Sequence, residues 1–170
     1  MAGKYDKGKA IVFTRPLRAE LHSNVAFPKM DNNGVVIRTQ YSTISRGTEL
    51  DLYIYQMHDR GVDAQWYPIL PGYMPCGDVV AVGAKVQHLK AGDLAIGSNL
   101  FSGFDQRDCC AWAGHCEYTV ISDASHTIGA RRALKVPDGI PAKHAALAVL
   151  GGVAWHGFDR KVRAQKGETE

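Results

Sequence analysis

Residues 71–83 read PGYMPCGDVVAVG, and this segment decides the fold. Its valine-rich second half predicts a strand. Pro71 and the earlier Pro68 lack the N–H group that a regular hydrogen-bond ladder needs, so the strand is expected to begin after them. A turn at residues 90–93 (KAGD) and a second apolar run at residues 94–97 follow. The segment therefore predicts two strands joined through a turn.

Further short strands are predicted on both sides of this segment. The clearest, residues 34–44, alternates and is rich in β-branched residues, as a half-buried strand should be. The others lie at residues 8–13, 25–27, 116–121 and 133–136. Many short strands at modest spacing indicate a mainly β fold with short helices, built as a β-barrel-like body.

A short helix is predicted after residue 44. Ser45 or Thr48 can cap it, and Glu49 suits the positive end of the helix dipole. Leu50 and Tyr53 then fall on one face of the helix. This stretch therefore places several polar side chains at the end of a strand.

The composition changes towards the C-terminus. From Pro141 the chain becomes rich in alanine and leucine, which predicts a helix. The glycine pair at residues 151–152 is expected to interrupt it before a second helix at residues 153–163. We therefore expect a β-rich domain in residues 1–140 and a helical segment in residues 141–170.

The bulk composition excludes several classes of protein. The chain has 170 residues, of which 45% are hydrophobic and 22% charged, as expected for one compact domain. Its net charge is only +3, and the basic residues are scattered along the chain, which argues against nucleic acid binding. No apolar run approaches the roughly 20 residues of a membrane span, and no signal-peptide core is found, so a cytoplasmic location is expected. The four cysteines are expected to be reduced thiols.

Seven short motifs occur in a characteristic order along the chain. They are residues 45–50 (SRGTEL), 71–83, 90–93, 114–118 (GHCEY), 136–138 (VPD), 145–147 (AAL) and 166–169 (KGET). Each is weak alone, but their order and separations resemble those of the medium-chain dehydrogenase/reductase family, which includes the zinc-type alcohol dehydrogenases. The amino-acid sequences of residues 42–49 and 72–78 also resemble those of a subgroup that includes bacteriochlorophyllide dehydrogenases.

The resemblance implies a GroES-like β-barrel in residues 1–140 and a helical connector, residues 141–170, to a Rossmann domain. Residues 166–169 lie where the family enters the first Rossmann strand. The pattern Gly-x-Gly-x-x-Gly does not occur in the sequence, so no phosphate-binding turn is expected here. We therefore expect no cofactor in this chain and no activity of the chain alone, with NAD(P) implied for a full-length protein.

The catalytic zinc ligands of the family are expected to be lost. Where zinc-dependent members carry a cysteine and a histidine, this sequence has Arg46 and Tyr73. No third ligand is found near Leu150, although a catalytic zinc takes about three protein ligands. A structural zinc lobe would need four closely spaced cysteines, and the adjacent pair at residues 109–110 does not supply them. We predict no metal site, Cys109, Cys110, His115 and Cys116 included.

A zinc-free pocket is the remaining hypothesis for the site. The residues predicted to line it are Ser45, Arg46, Thr48, Glu49 and Tyr73. Two of these have alternatives that stay open at this point, because Arg46 could simply pair with Glu49 and Tyr73 could simply pack at a strand entry. His156 is a weaker candidate for contact with cofactor, against ordinary helix packing.

These features predict the substrate-side domain of an NAD(P)-dependent alcohol or carbonyl oxidoreductase. The alternative is a stand-alone GroES-like module that binds a small molecule or self-associates without catalysis. The expected partners are a small-molecule substrate and either the missing Rossmann domain or a second copy, with no nucleic acid and no membrane. The C-terminal helical segment is expected to leave apolar surface exposed.

Overall fold

The computed structural model describes residues 4–54, 67–97, 109–110, 114–121 and 133–165. The motif at residues 166–169 lies outside these ranges. Within them, no helix is long and apolar enough to cross a bilayer.

Nine strands and three helices make up the described chain. The strands are β1 (Lys7–Arg15), β2 (Arg18–Ala26), β3 (Val35–Thr43), β4 (Ile69–Leu70), β5 (Tyr73–Val82), β6 (Leu94–Ile96), β7 (Cys109–Cys110), β8 (Tyr118–Ile121) and β9 (Leu134–Lys135). The helices are α1 (Arg46–Ile54), α2 (Ala142–Ala145) and α3 (Ala148–Gln165). The predicted mainly β fold with a C-terminal helical segment is confirmed.

The strands form two sheets. One has the order β2-β1-β4-β7, and the other has the order β8-β3-β5-β6-β9. Neighbouring strands run antiparallel except β4 and β7, which are parallel. Strand β3 lies between β5 and β8, and its C-terminal end leads directly into α1. That end of β3 is where the predicted site residues begin.

The larger sheet carries the best-packed part of the core. Ile37 on β3 is fully buried and belongs to a cluster with Val79, Leu89, Ala95 and Ile121. A second cluster, around Val36 and Leu70, joins the larger sheet to the smaller one. The alternation predicted for β3 is confirmed only in part, because its first three residues are all buried and polar residues appear only from Arg38 onward.

The prediction that the glycine pair at residues 151–152 interrupts the last helix was wrong. Helix α3 runs unbroken through both glycines. Each glycine costs a helix only about 1 kcal/mol relative to alanine, and neither occupies a position where a side chain would be needed for packing. The chain instead breaks earlier, at residues 146–147, between α2 and α3. The Thr43 hydroxyl donates to the carbonyl of Ala146 and ties this break to β3.

Helix α3 exposes several large apolar side chains. Val153, Trp155 and Phe158 are each at least 60% exposed, and the two aromatic rings lie 5.9 Å apart. The expectation of exposed apolar surface on the C-terminal helical segment is thus confirmed.

Two cysteines are buried in the barrel. Cys76 and Cys116 are free thiols, as predicted for them, whereas the side chains of Cys109 and Cys110 lie outside the described structure. Burial raises the pKa of the Cys116 thiol to about 12, and burial together with the charge of Asp78 raises the pKa of Cys76 to about 11.

These two thiols are predicted to resist alkylation in the native protein. A variant in which Cys109 and Cys110 are replaced by serine should react with iodoacetamide at pH 8 at least ~100-fold more slowly when folded than in urea, because only the thiolate is nucleophilic. Peptide mass spectrometry after timed quenching measures the two rates. Rapid labelling of the folded variant would contradict the burial of both thiols.

Candidate functional site

Three segments meet where β3 ends. They are the last residues of β3, helix α1, and residues 114–117, which run beside β1. The segment at residues 114–117 is held on both sides, because Ile11 donates its N–H to the carbonyl of His115 and Thr39 donates to that of Glu117, each at 3.0 Å. The main-chain N–H of His115 in turn donates to the carbonyl of Pro71 at 3.2 Å. The His115 side chain is therefore fixed between the two sheets.

A buried pair of polar side chains lies at the centre of this meeting point. The Nε2 atom of His115 lies 2.9 Å from Oε1 of Glu49, and the two side chains are only 15% and 5% exposed. On the other side of the ring, Nδ1 of His115 lies 2.8 Å from the hydroxyl oxygen of Ser42. Glu49, His115 and Ser42 thus form a continuous hydrogen-bonded chain, named here the Glu49–His115–Ser42 chain.

Helix α1 positions the carboxylate of this chain. The second oxygen of Glu49 accepts a hydrogen bond from the main-chain N–H of Ser45, just before the helix begins. A glutamate in the first turn that reaches back to an unpaired N–H at the helix start works as in a capping box. Both oxygens of the buried carboxylate are therefore satisfied, as a buried charge requires.

A second polar pair lies close by. Tyr73, the first residue of β5, donates its hydroxyl to the Thr48 hydroxyl at 3.0 Å, and both side chains are partly buried. Tyr73 faces Thr43 across the β3–β5 ladder, which fixes it beside the start of α1. Tyr73 is therefore not only packed at a strand entry, because its hydroxyl is bonded into the site.

The structure brings most of the predicted site residues together. Ser45, Thr48 and Glu49 lie on or beside the first turns of α1, and Tyr73 contacts Thr48 from β5. Arg46 is exposed, and within the described residues Glu49 pairs with His115 instead of Arg46. His156 is exposed on α3, and no described contact joins it to the other candidates.

Sequence reasoning missed the roles of His115 and Ser42. His115 lay in the motif at residues 114–118 but was weighed only as a metal ligand beside the cysteines, and Ser42 lay in the segment at residues 42–49 that resembles the subgroup, with no role assigned to it. The two residues are 73 positions apart, and no local pattern predicts their contact. A glycine-histidine pair at a strand entry, together with a glutamate at a helix start, was the only available signal.

The residues at this corner do not fit a metal ion. Across the described ranges no group of three or more histidine, cysteine, aspartate or glutamate side chains could hold one. At the corner itself the two potential ligands, Glu49 and His115, are bonded to each other, and Tyr73 is bonded to Thr48.

A shallow groove of about 470 Å³ borders the Glu49–His115–Ser42 chain. Ser42 and His115 lie in its wall, beside the exposed side chains of Leu21 and Ile44. The polar chain therefore opens onto a surface that is mostly apolar.

A family model described as the alcohol dehydrogenase GroES-like domain matches residues 31–153, which is more than half of the chain. Among curated relatives, the L-threonine 3-dehydrogenases of Edwardsiella ictaluri and Aeromonas salmonicida are each 29% identical over 143 residues, covering 79% of this chain and 41% of theirs. That of Vibrio cholerae is 26% identical over 159 residues, covering 88% of this chain and 46% of its own.

Solved structures share the fold at lower identity. Galactitol-1-phosphate dehydrogenase from Escherichia coli is 20% identical with a TM-score of 0.59, covering 82% of this chain and 41% of that protein. An E. coli alcohol dehydrogenase solved in complex with NADH is 17% identical with a TM-score of 0.59, covering 84% of this chain and 42% of that one. The chain thus spans less than half the length of the relatives and structures it matches.

Proposed function

Because this chain belongs to the alcohol dehydrogenase GroES-like domain family, we propose that it is the substrate-side domain of an NAD(P)-dependent oxidoreductase that interconverts an alcohol and a carbonyl compound. We further propose that it does so without a zinc ion at the corner formed by Arg46 and Tyr73. Residues 1–140 would form the substrate domain, and residues 141–170 would connect it to a nucleotide-binding domain.

The observation that carries this proposal is the Tyr73–Thr48 pair beside the buried Glu49. In zinc-dependent members of the family the metal polarises the substrate oxygen at this corner. If the hydroxyl pair reverses, so that Thr48 donates to the Tyr73 oxygen, the single Tyr73 proton is free for the same kind of oxygen, and a pre-positioned donor stabilises the charge that develops there. Arg46 is exposed and adds a positive charge at the start of α1.

The cofactor would be held elsewhere. A bound nicotinamide supplies the hydride of such reactions, and the glycine-rich turn that binds its pyrophosphate does not occur in these 170 residues. The residues of this chain would bind the substrate and orient its oxygen. The exposed aromatic side chains of Trp155 and Phe158 on α3 would face the nucleotide-binding domain or a second copy of the chain.

The test uses the longest natural polypeptide that contains this chain. We expect NAD(P)H-dependent reduction of aldehydes or ketones that is unchanged by EDTA, and a loss of about 100-fold in kcat/KM in Tyr73→Phe, because one transition-state donor is removed. Tyr41→Phe, at an exposed position on β3, is the matched control and should change nothing. The readout is nicotinamide absorbance at 340 nm.

Three results would argue against parts of this proposal. Activity that EDTA abolishes and zinc restores would overturn the zinc-free mechanism. If that polypeptide shows no nicotinamide-dependent turnover of any aldehyde or ketone in a broad set, the result would favour the stand-alone binding module. Saturable binding of NADH to the 170-residue chain alone would overturn the assignment of the cofactor site to another domain.

A further inference from the structure

A cavity of about 820 Å³ lies at the other end of β3 from the candidate site. Val36, near the start of β3, lines this cavity, whereas Thr43 at the end of the same strand leads into α1. The stretch of strand between these two residues is about 20 Å long at the usual rise per residue. The cavity is therefore separate from the corner where Glu49 and Tyr73 lie.

The floor of the cavity is an apolar surface of the larger sheet. Val120, Val36 and Ala81 are direct neighbours across β8, β3 and β5, and all three line the cavity. Successive strand residues ordinarily face opposite sides of a sheet. The β3–β5 ladder shifts its register between Val36 and Ile37, and Val80 therefore lines the cavity beside Ala81. Three adjacent strands thus contribute to one continuous apolar floor.

The sides of the cavity come from segments that flank the smaller sheet. Tyr5 lies just before β1, and Pro28 and Met30 follow β2. Tyr5 reaches across to the larger sheet, because its hydroxyl donates to the carbonyl of Val80 at 3.4 Å. The cavity therefore lies where the core cluster around Val36, which joins the two sheets, meets the surface. The mouth of a β-barrel is a common place for a ligand site, and such sites measure roughly 300–1,000 Å³.

The rim of the cavity carries an excess of positive charge. Lys4 and Lys29 are exposed there, and Asp6 is the one carboxylate among the lining residues that the structure describes. Neither lysine forms an ion pair with a described carboxylate. The Lys4 ammonium lies 5.6 Å from the centroid of the Tyr5 ring, which keeps it beside the cavity wall. The formal charges at neutral pH leave one positive charge in excess, which is complementary to a ligand with a single negative charge.

We propose that this cavity binds a single-chain fatty acid, with its hydrocarbon chain on the valine floor and its carboxylate at the rim beside Lys4 and Lys29. Each methylene that leaves water tightens such binding about fourfold. A carboxylate balances the excess charge of the rim, whereas a dianion such as a phosphate monoester exceeds it. The site is independent of the proposed oxidoreductase function, because it shares no residue with the candidate site.

Calorimetric titration of the 170-residue chain with sodium dodecanoate, below its micelle concentration, tests the site. We expect one dodecanoate per chain. Decanoate should bind about 15-fold more weakly, because two fewer methylenes leave water. Dodecyltrimethylammonium has the same chain length and the opposite charge, and it should bind at least ~10-fold more weakly than dodecanoate.

Two double variants separate the rim charges from the overall charge. Lys4→Glu combined with Lys29→Glu should weaken dodecanoate binding at least ~10-fold, because two attractive charges become repulsive. Lys143→Glu combined with Lys161→Glu changes the net charge equally on α2 and α3, outside the cavity, and should leave the affinity within about twofold because salt screens distant charges. All four lysines are exposed, so both double variants should fold.

Amide chemical shifts locate the bound chain. In the 15N-labelled 170-residue chain, dodecanoate should shift the amides of Tyr5, Met30 and Val120. It should leave those of Tyr73, in the candidate site, and Trp155, on the exposed apolar surface of α3, unchanged.

Each remaining outcome would overturn the site. Shifts confined to Trp155 would mean that dodecanoate binds the aromatic side chains of α3. Absence of binding would exclude a fatty acid, and unchanged affinity in the variant of Lys4 and Lys29 would exclude recognition of its charge. Binding that occurs only after residues 1–3 are removed would mean that the N-terminus of the chain itself is the occupant.

Discussion

Replacing Gly77 by alanine is expected to remove most of the stability of the barrel. A Cβ atom at this position would lie 1.9 Å from the carbonyl oxygen of Arg38 and 2.8 Å from its carbon. Both are main-chain atoms of β3, so no side-chain rotation can relieve the overlap. The β3–β5 ladder, in which Gly77 pairs with Thr39, would have to separate at its centre. We expect a loss of about 4 kcal/mol or more, a large part of the 5–15 kcal/mol that stabilises a typical domain.

Urea denaturation followed by far-ultraviolet circular dichroism measures this loss. Gly152→Ala is the matched control, because an alanine there meets no atom within 4 Å and lies inside α3. That variant should gain up to about 1 kcal/mol from better helix propensity. The same substitution is thus predicted to have opposite signs at two positions. Equal effects in the two variants would contradict the close approach of β3 and β5.

Much of the fold follows from the sequence because its signals are local. The valine-rich second half of residues 71–83 and the β-branched run at residues 34–44 became β5 and β3, which pair as the centre of the larger sheet. Strand β2 shows where local signals are insufficient. Its residues 18–24 are mostly polar and almost all exposed, so their pattern does not predict a strand, and the strand exists because β1 pairs with it.

The residues of the candidate site likewise divide into those that local sequence signals predicted and those that depend on tertiary contacts. Thr48, Glu49 and Tyr73 were predicted as pocket residues from the sequence, because the order of the motifs marked their segments. His115 was not found, because its role depends on a contact with Ser42 from β3 and another with Glu49 from α1, both set by tertiary structure. The sequence also left open a local pair between Arg46 and Glu49. Burial decides against it, since Glu49 turns inward to His115 while Arg46 stays in solvent.

Replacing Gly114 by alanine is expected to displace His115 from the site. A Cβ atom at residue 114 would lie 1.9 Å from the carbonyl oxygen of Tyr73 and 2.7 Å from the carbonyl carbon of Gly72. The two main chains would have to move apart, which breaks the 2.8 Å hydrogen bond from Gly114 to Gly72 and the 3.2 Å bond from His115 to Pro71. We expect a loss of about 3 kcal/mol in the free energy of unfolding.

The same displacement should separate the His115 ring from Glu49, and this consequence distinguishes a positioned histidine from a merely buried one. Urea denaturation gives the stability, and the 15N resonances of the imidazole report whether the Nε2 bond survives. Gly47→Ala is the control, because it makes the same change two residues before Glu49 but meets no atom within 4 Å. The control should keep the imidazole resonances of the wild type and lose no stability, since alanine favours a helix. If Gly114→Ala instead keeps the wild-type imidazole resonances, the position of the His115 ring does not depend on the contact between the two main chains. Another interaction would then have to set the geometry of the Glu49–His115–Ser42 chain.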